Sequence, residues 1–193
     1  MEAPDPGVEA NARLTGYVAL ILLVLLTAEF VTGLAVKRSL PFHVVVGFAL
    51  IPPVLLKLGS VGYRFLRYYT NQPRYRAAGP PTLGMRILAP ALVLLTVVVF
   101  GSGVELWLFG YRLGFAWVPF HHGSAYLWFV AAGIHVVRYA FRAPSLAIAD
   151  WRDHLRGALT RRSVVVGSLL LGAILAVAML TFPSPFAFSL GER

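Results

Sequence analysis

The chain has no cysteine among its 193 residues. That absence excludes disulfides, iron–sulfur clusters, thiolate-ligated haem and covalent c-type haem attachment. Charge is also scarce: charged residues make up 13%, only 8 are acidic, and lysine occurs twice, at Lys37 and Lys57, against fifteen arginines. With 58% apolar residues and a mean hydropathy of +0.74, the composition is that of an integral membrane protein. No phosphate-cradling glycine loop and no serine–histidine–acid series stands out. The net charge of +9 does not point to nucleic acid, because the basic residues flank apolar spans and form no stripe interleaved with aromatics. The leader Met1 to Asn11 carries Glu2, Asp5 and Glu9 where a secretory signal is basic, so the first span is expected to stay in the mature protein.

Five runs are long enough to cross about 30 Å of hydrocarbon. They are Leu14 to Val36, Leu40 to Gly62, Ile87 to Gly110, Phe115 to Val137 and Ser163 to Phe182. The second contains Pro52-Pro53, which removes two helix donors and predicts a kink. Eleven of the seventeen basic residues fall between spans two and three or between spans four and five. The positive-inside rule then predicts a cytoplasmic N-terminus and an outer C-terminus in a multi-pass plasma-membrane protein. The division expected is a cytoplasmic leader 1–13, a four-helix bundle 14–142, a cytoplasmic linker 143–162, and a fifth span with a short outer tail at 163–193. Ile148 to Arg162 reads as an amphipathic helix on the anionic inner leaflet, with His154 as a solvated surface residue. Tyr68, Tyr69, Arg74, Tyr75 and Arg76 read as an interfacial aromatic and basic belt.

The most specific pattern is a repeat. Pro41-Phe42-His43 and Pro119-Phe120-His121 lie 78 residues apart, each near the start of an apolar span, and Thr32-Gly33 and Ser102-Gly103 precede them. Fourteen residues after each histidine comes another nitrogen base, Lys57 and His135 respectively. On a helix that step is a rotation of about 1400° and a rise of about 21 Å, so both bases lie on one face at opposite membrane depths. His122 is thirteen residues from His135, about 220° around, and points nearly the other way. His121 is therefore the better ligand candidate. Topology puts His43 and His121 at the outer face, where a helix-end histidine either binds something or sits in the headgroups.

Other intramembrane ionisable groups leave their roles open. A buried lysine can lose its proton where arginine cannot, so Lys57 either ligates a metal as a neutral amine or reaches the interface or an anionic partner. Glu29 and Glu105, in the outer thirds of spans one and three, either accept protons from a quinol or stay protonated and hydrogen-bonded. Gly33, Gly47, Gly101 and Gly103 fit close approach of a flat macrocycle and equally fit ordinary helix packing.

Pro41-Phe42-His43, the fourteen-residue step to Lys57, Lys57-Leu58-Gly59-Ser60-Val61-Gly62-Tyr63-Arg64, the Gly79-Pro80-Pro81 loop and His121 to His135 through Trp128-Phe129 resemble bacterial b-type cytochrome membrane subunits. More narrowly, the chain resembles small actinobacterial membrane domains, some of which accompany molybdopterin-dependent oxidoreductases. The resemblance covers about residues 14 to 142. It implies an all-α membrane bundle of two pseudo-repeated hairpins, with haem b between spans two and four on His43 and His121. An inner pair of His135 and Lys57 departs from the usual two histidines, so one haem is expected and a second is the weaker hypothesis. The implied role is electron transfer between a quinone and an outer-face redox protein, as a subunit of an oxidoreductase and not a stand-alone catalyst. Two rival readings are a haem-free membrane anchor or assembly subunit, and a transporter whose histidines and glutamates carry metal or protons.

Overall fold

The computed structural model describes residues 5–80, 82–112, 116–152 and 155–187, and every regular element among them is helical. α1 spans Pro6–Leu34. The Asp5 carboxylate accepts the backbone N–H groups of Gly7 at 2.9 Å and Val8 at 3.4 Å, and Pro6 sits in the first turn, where its missing N–H is harmless. This cap starts the helix well before the apolar run at Leu14, so much of the expected leader is helical.

α1 passes through Ala35 into α2, Val36–Tyr69. Ser39 leaves the helical region there, at φ −125° and ψ 19°, and its hydroxyl donates to the carbonyls of Thr32 and Ala35, each at 2.8 Å. Pro41 then stands two residues past the break, where its fixed φ suits a restarting helix. Pro52 and Pro53, where a kink is expected, lie inside α2 with helical backbone dihedrals, and Ser39 is the departure inside that helix. Packing accommodates the lost donor. Pro53 has no N–H to offer the Ala49 carbonyl, and Gly172 of α7, Ala158–Leu180, brings its backbone against that carbonyl. Leu50 and Pro53 are fully buried beside this contact.

The chain divides into two compact units, Met1–Pro81 with Tyr139–Leu180 and Thr82–Arg138 with Thr181–Arg193. In the first, α2 packs on both α1 and α7, and α6, Arg142–Arg152, lies on α1. A short α3, Pro73–Ala77, follows α2. Gly16 makes the α1–α6 approach possible, since a Cβ there would sit 2.8 Å from the Leu146 side chain. Arg13, buried, pairs with Glu9 and donates to the Ala149 carbonyl at 2.7 Å. α7, expected as an addition to a four-span bundle, is thus a direct neighbour of α2.

The amphipathic segment expected over Ile148 to Arg162 is divided. α6 begins earlier, at Arg142, and ends at Arg152; Gly157 adopts φ +79°, and α7 follows. Arg161 and Arg162 then fall in the first turns of α7, and both reach back to the buried Asp150. His154 lies outside the described residues.

In the second unit, α4, Leu83–Phe109, runs antiparallel to α5, Trp117–Tyr139. Trp128 donates its indole N–H to Thr96 at 2.7 Å, and His121, two turns earlier on α5, meets Ser102, later on α4. Gly110 ends α4 at φ +62°, against Pro185, and the Ser184 hydroxyl donates to the Trp107 carbonyl at 2.6 Å.

Four helices, α1, α2, α4 and α7, are long and apolar enough to cross a membrane. That is the build of a multi-pass membrane protein. Their outward residues, among them Val24, Leu94 and Leu170, are apolar and exposed, as lipid contact requires. α5 is 23 residues long but less apolar, because it carries His121, His122, His135 and Arg138.

Candidate functional site

The histidines of the repeated motif occupy comparable settings, each on the second helix of its hairpin and each turned toward the first. In the first unit, His43 of α2 has Nδ1 3.2 Å from Oε1 of Glu29 on α1, with both side chains mostly buried. This is a charge contact more than an aligned hydrogen bond. Two glycines make room for it. A Cβ on Gly33 would lie 3.6 Å from His43 Cε1, and one on Gly47 would lie 3.1 Å from the Glu29 carboxylate. Glu29 Oε2 is buried and has no hydrogen-bond partner among the described residues.

In the second unit, His121 of α5 has Nδ1 2.9 Å from Oγ of Ser102 on α4. Ser102 is fully buried, and its hydroxyl also lies 3.1 Å from the Val99 carbonyl. A carbonyl can only accept, so when the one hydroxyl proton goes to Val99 the oxygen accepts from His121 Nδ1–H. In the neutral ring this tautomer puts the lone pair on Nε2. Gly103 clears the space, since a Cβ there would lie 3.0 Å from His121 Cε1. An imidazole fixed through Nδ1 by a hydroxyl or carboxylate is oriented as metal-binding histidines are by their outer-shell partners.

The two glutamates are not equivalent. Glu29 precedes Gly33 by four residues and shares its face of α1, whereas Glu105 follows Gly103 by two and points about 200° away. Accordingly Glu29 meets His43, while both carboxylate oxygens of Glu105 are buried without a hydrogen-bond partner among the described residues. Ser102 takes the bracing role in the second unit. Its counterpart Thr32 instead donates to the carbonyls of Ala28 and Glu29 at 3.0 and 3.1 Å.

Lys57 is held by α1. Its Nζ donates to the Thr15 carbonyl at 2.7 Å, beside a polar patch in which the Thr15 hydroxyl meets Ser60 and Asn11 donates to Ser60 at 3.3 Å. His135 lies on the face of α5 that carries His121 and Trp128, since steps of seven residues drift only about 20°. It is half-buried. His122 is exposed, as its phase predicts. Both expected ligand pairs join residues of different units, and each residue is placed here within its own.

Among the described residues, no group of three or more histidine, cysteine, aspartate or glutamate side chains is arranged to hold a metal ion. A bare divalent ion wants three or four such donors. A haem asks the protein for fewer donors than a bare ion does, and an imidazole such as His121, held through Nδ1, is a donor of that kind. Sequence reasoning marked Ser102-Gly103 as a sign of the repeat but missed the serine as a brace. Its proximity to His121 was the available signal, and the contact itself is tertiary. Comparison of the chain with protein-family models, curated proteins and solved structures returns no match.

Proposed function

We propose that the chain is a membrane b-type cytochrome, an electron-transfer subunit in which His43 and His121 would hold one haem. The observation that carries this reading is the setting of the two Pro-Phe-His histidines, His121 Nδ1 hydrogen-bonded to Ser102 and His43 Nδ1 3.2 Å from the Glu29 carboxylate, with glycine beside each ring. The pairing of one histidine with the other rests on the repeated motif and its common depth, and the cytochrome reading on the resemblance of those motifs. When bound, haem supplies one-electron chemistry between a quinone and a redox protein at the outer face, of the kind formed by molybdopterin-dependent oxidoreductases. The protein's part is to fix ring orientation and tautomer, exclude water and set the charge near the ligands. Glu29, through its buried Oε2, and Glu105, through both buried carboxylate oxygens, are the side chains assigned to receive quinol protons.

Lys57 is assigned to helix pairing. A Lys57 Nζ already tied to the Thr15 carbonyl within the first unit favours one haem over two. The reading also takes α5 as a fifth span, because it retraces α4 through the Ser102–His121 and Thr96–Trp128 contacts and is about 34 Å long. With α5 crossing, the two arginine-rich linkers fall on one side, which puts the N-terminus in the cytoplasm and the C-terminus outside the plasma membrane.

The test is haem content of purified variants. His43→Ala and His121→Ala should each lose the haem, and His122→Ala should keep it. Undiminished haem in His121→Ala would refute the ligand assignment.

A further inference from the structure

A second site lies in the first unit, between the amphipathic α6 and α1. Tyr17, Leu20 and Ile21 of α1 and Ala147, Ile148 and Trp151 of α6 enclose an apolar groove of about 300 Å³. Its neck is built from polar tips: the Trp151 indole N–H donates to the Tyr17 hydroxyl at 3.0 Å. Tryptophan and tyrosine sit in this way where apolar tails meet headgroups. Above the same indole lies a cation, with Arg162 Cζ 3.9 Å from the Trp151 ring centroid. Among the described residues Asp150 is the acid that faces these arginines, and Arg161 and Arg162 share it, so these three side chains together carry positive charge.

An apolar trough, an aromatic neck and two guanidinium groups that share one carboxylate follow one another along a single surface. We infer that this groove is a binding site for one anionic phospholipid, whose acyl chain lies between α1 and α6 and whose phosphate pairs with Arg162. Charge complementarity is what separates this occupant from others that would fill an apolar groove. A zwitterionic lipid brings an ammonium with its phosphate, and a prenyl tail brings no anion at all. The site stands apart from the haem reading, because none of its residues belongs to the histidine settings.

The experiment is native mass spectrometry of the full-length protein released from vesicles made of equal parts phosphatidylglycerol and phosphatidylcholine. Wild type should retain one phosphatidylglycerol in about fivefold preference over phosphatidylcholine, the worth of one interfacial arginine. Arg162→Gln should bring that preference to near unity, while Arg162→Lys, which keeps the charge, should restore most of it. Because Arg162 also holds Asp150, Ile148→Glu provides an independent arm: Ile148 is exposed, so the fold is kept, and a carboxylate in the groove should abolish retention. Equal retention of the two lipids by wild type overturns the inference. So does a preference unchanged in both Arg162→Gln and Ile148→Glu, or retention of a prenyl quinone in place of phospholipid when both are supplied.

Discussion

Replacing Gly172 with alanine should drive α7 off α2. A Cβ at position 172 would collide with the Ala49 carbonyl oxygen and also lie 3.2 Å from its carbon and 3.4 Å from its Cα. All three are backbone atoms of α2, so no side chain can swing aside and the helices themselves must part. Overpacking of this kind costs about 1–3 kcal/mol. Alanine returns up to about 1 kcal/mol of helix propensity, leaving a net loss of about 1 kcal/mol at the middle of that range. At about 2–4 °C per kcal/mol for a chain of this size, the melting temperature in detergent should fall by about 2–4 °C. Gly167→Ala on the same helix is the control: its Cβ would meet nothing within 4 Å, so stability should hold or rise. A Gly172→Ala protein that melts at or above wild type would refute the close α2–α7 contact, and with it the account of how α2 stays helical through Pro52-Pro53.

Three further outcomes follow from the same geometry. Ser102→Ala and Glu29→Ala, which remove the partners of His121 and His43, should each weaken haem binding by about 10–100-fold in a titration of apoprotein, as loss of an outer-shell partner does. Lys57→Met should leave the haem-to-protein ratio unchanged while lowering stability by about 1–3 kcal/mol, the worth of a charged hydrogen bond to the Thr15 carbonyl; a drop in haem content would reinstate Lys57 as a ligand. Asp150→Asn should destabilise the α6–α7 junction by about 3 kcal/mol, measured by detergent unfolding, because Arg161 and Arg162 both lose a buried counter-charge.

What the sequence made legible follows from which interactions are local. Proline and hydropathy act over a few residues, so four long apolar helices are readable in the sequence, with the Ser39 break just ahead of Pro41. Helical phase, also local, separated His121 from His122. The Asp5–Pro6 cap was equally local and marks the true start of α1, but the charged leader masked it. The role of Ser102 was not readable, because it depends on which α4 residue faces His121. Glu105 matches Glu29 in depth, but its phase relative to Gly103 turns it to another face of α4. The division of the amphipathic segment turns on Gly157 and on Asp150 drawing in two arginines, an arrangement visible only once α6 and α7 are placed.

The most direct test of the central claim is a dithionite-reduced minus oxidised absorption spectrum of the purified wild-type protein, with a pyridine haemochrome count on the same sample. The account predicts a b-type spectrum and one haem per chain. A stable, folded protein with no Soret band would contradict it.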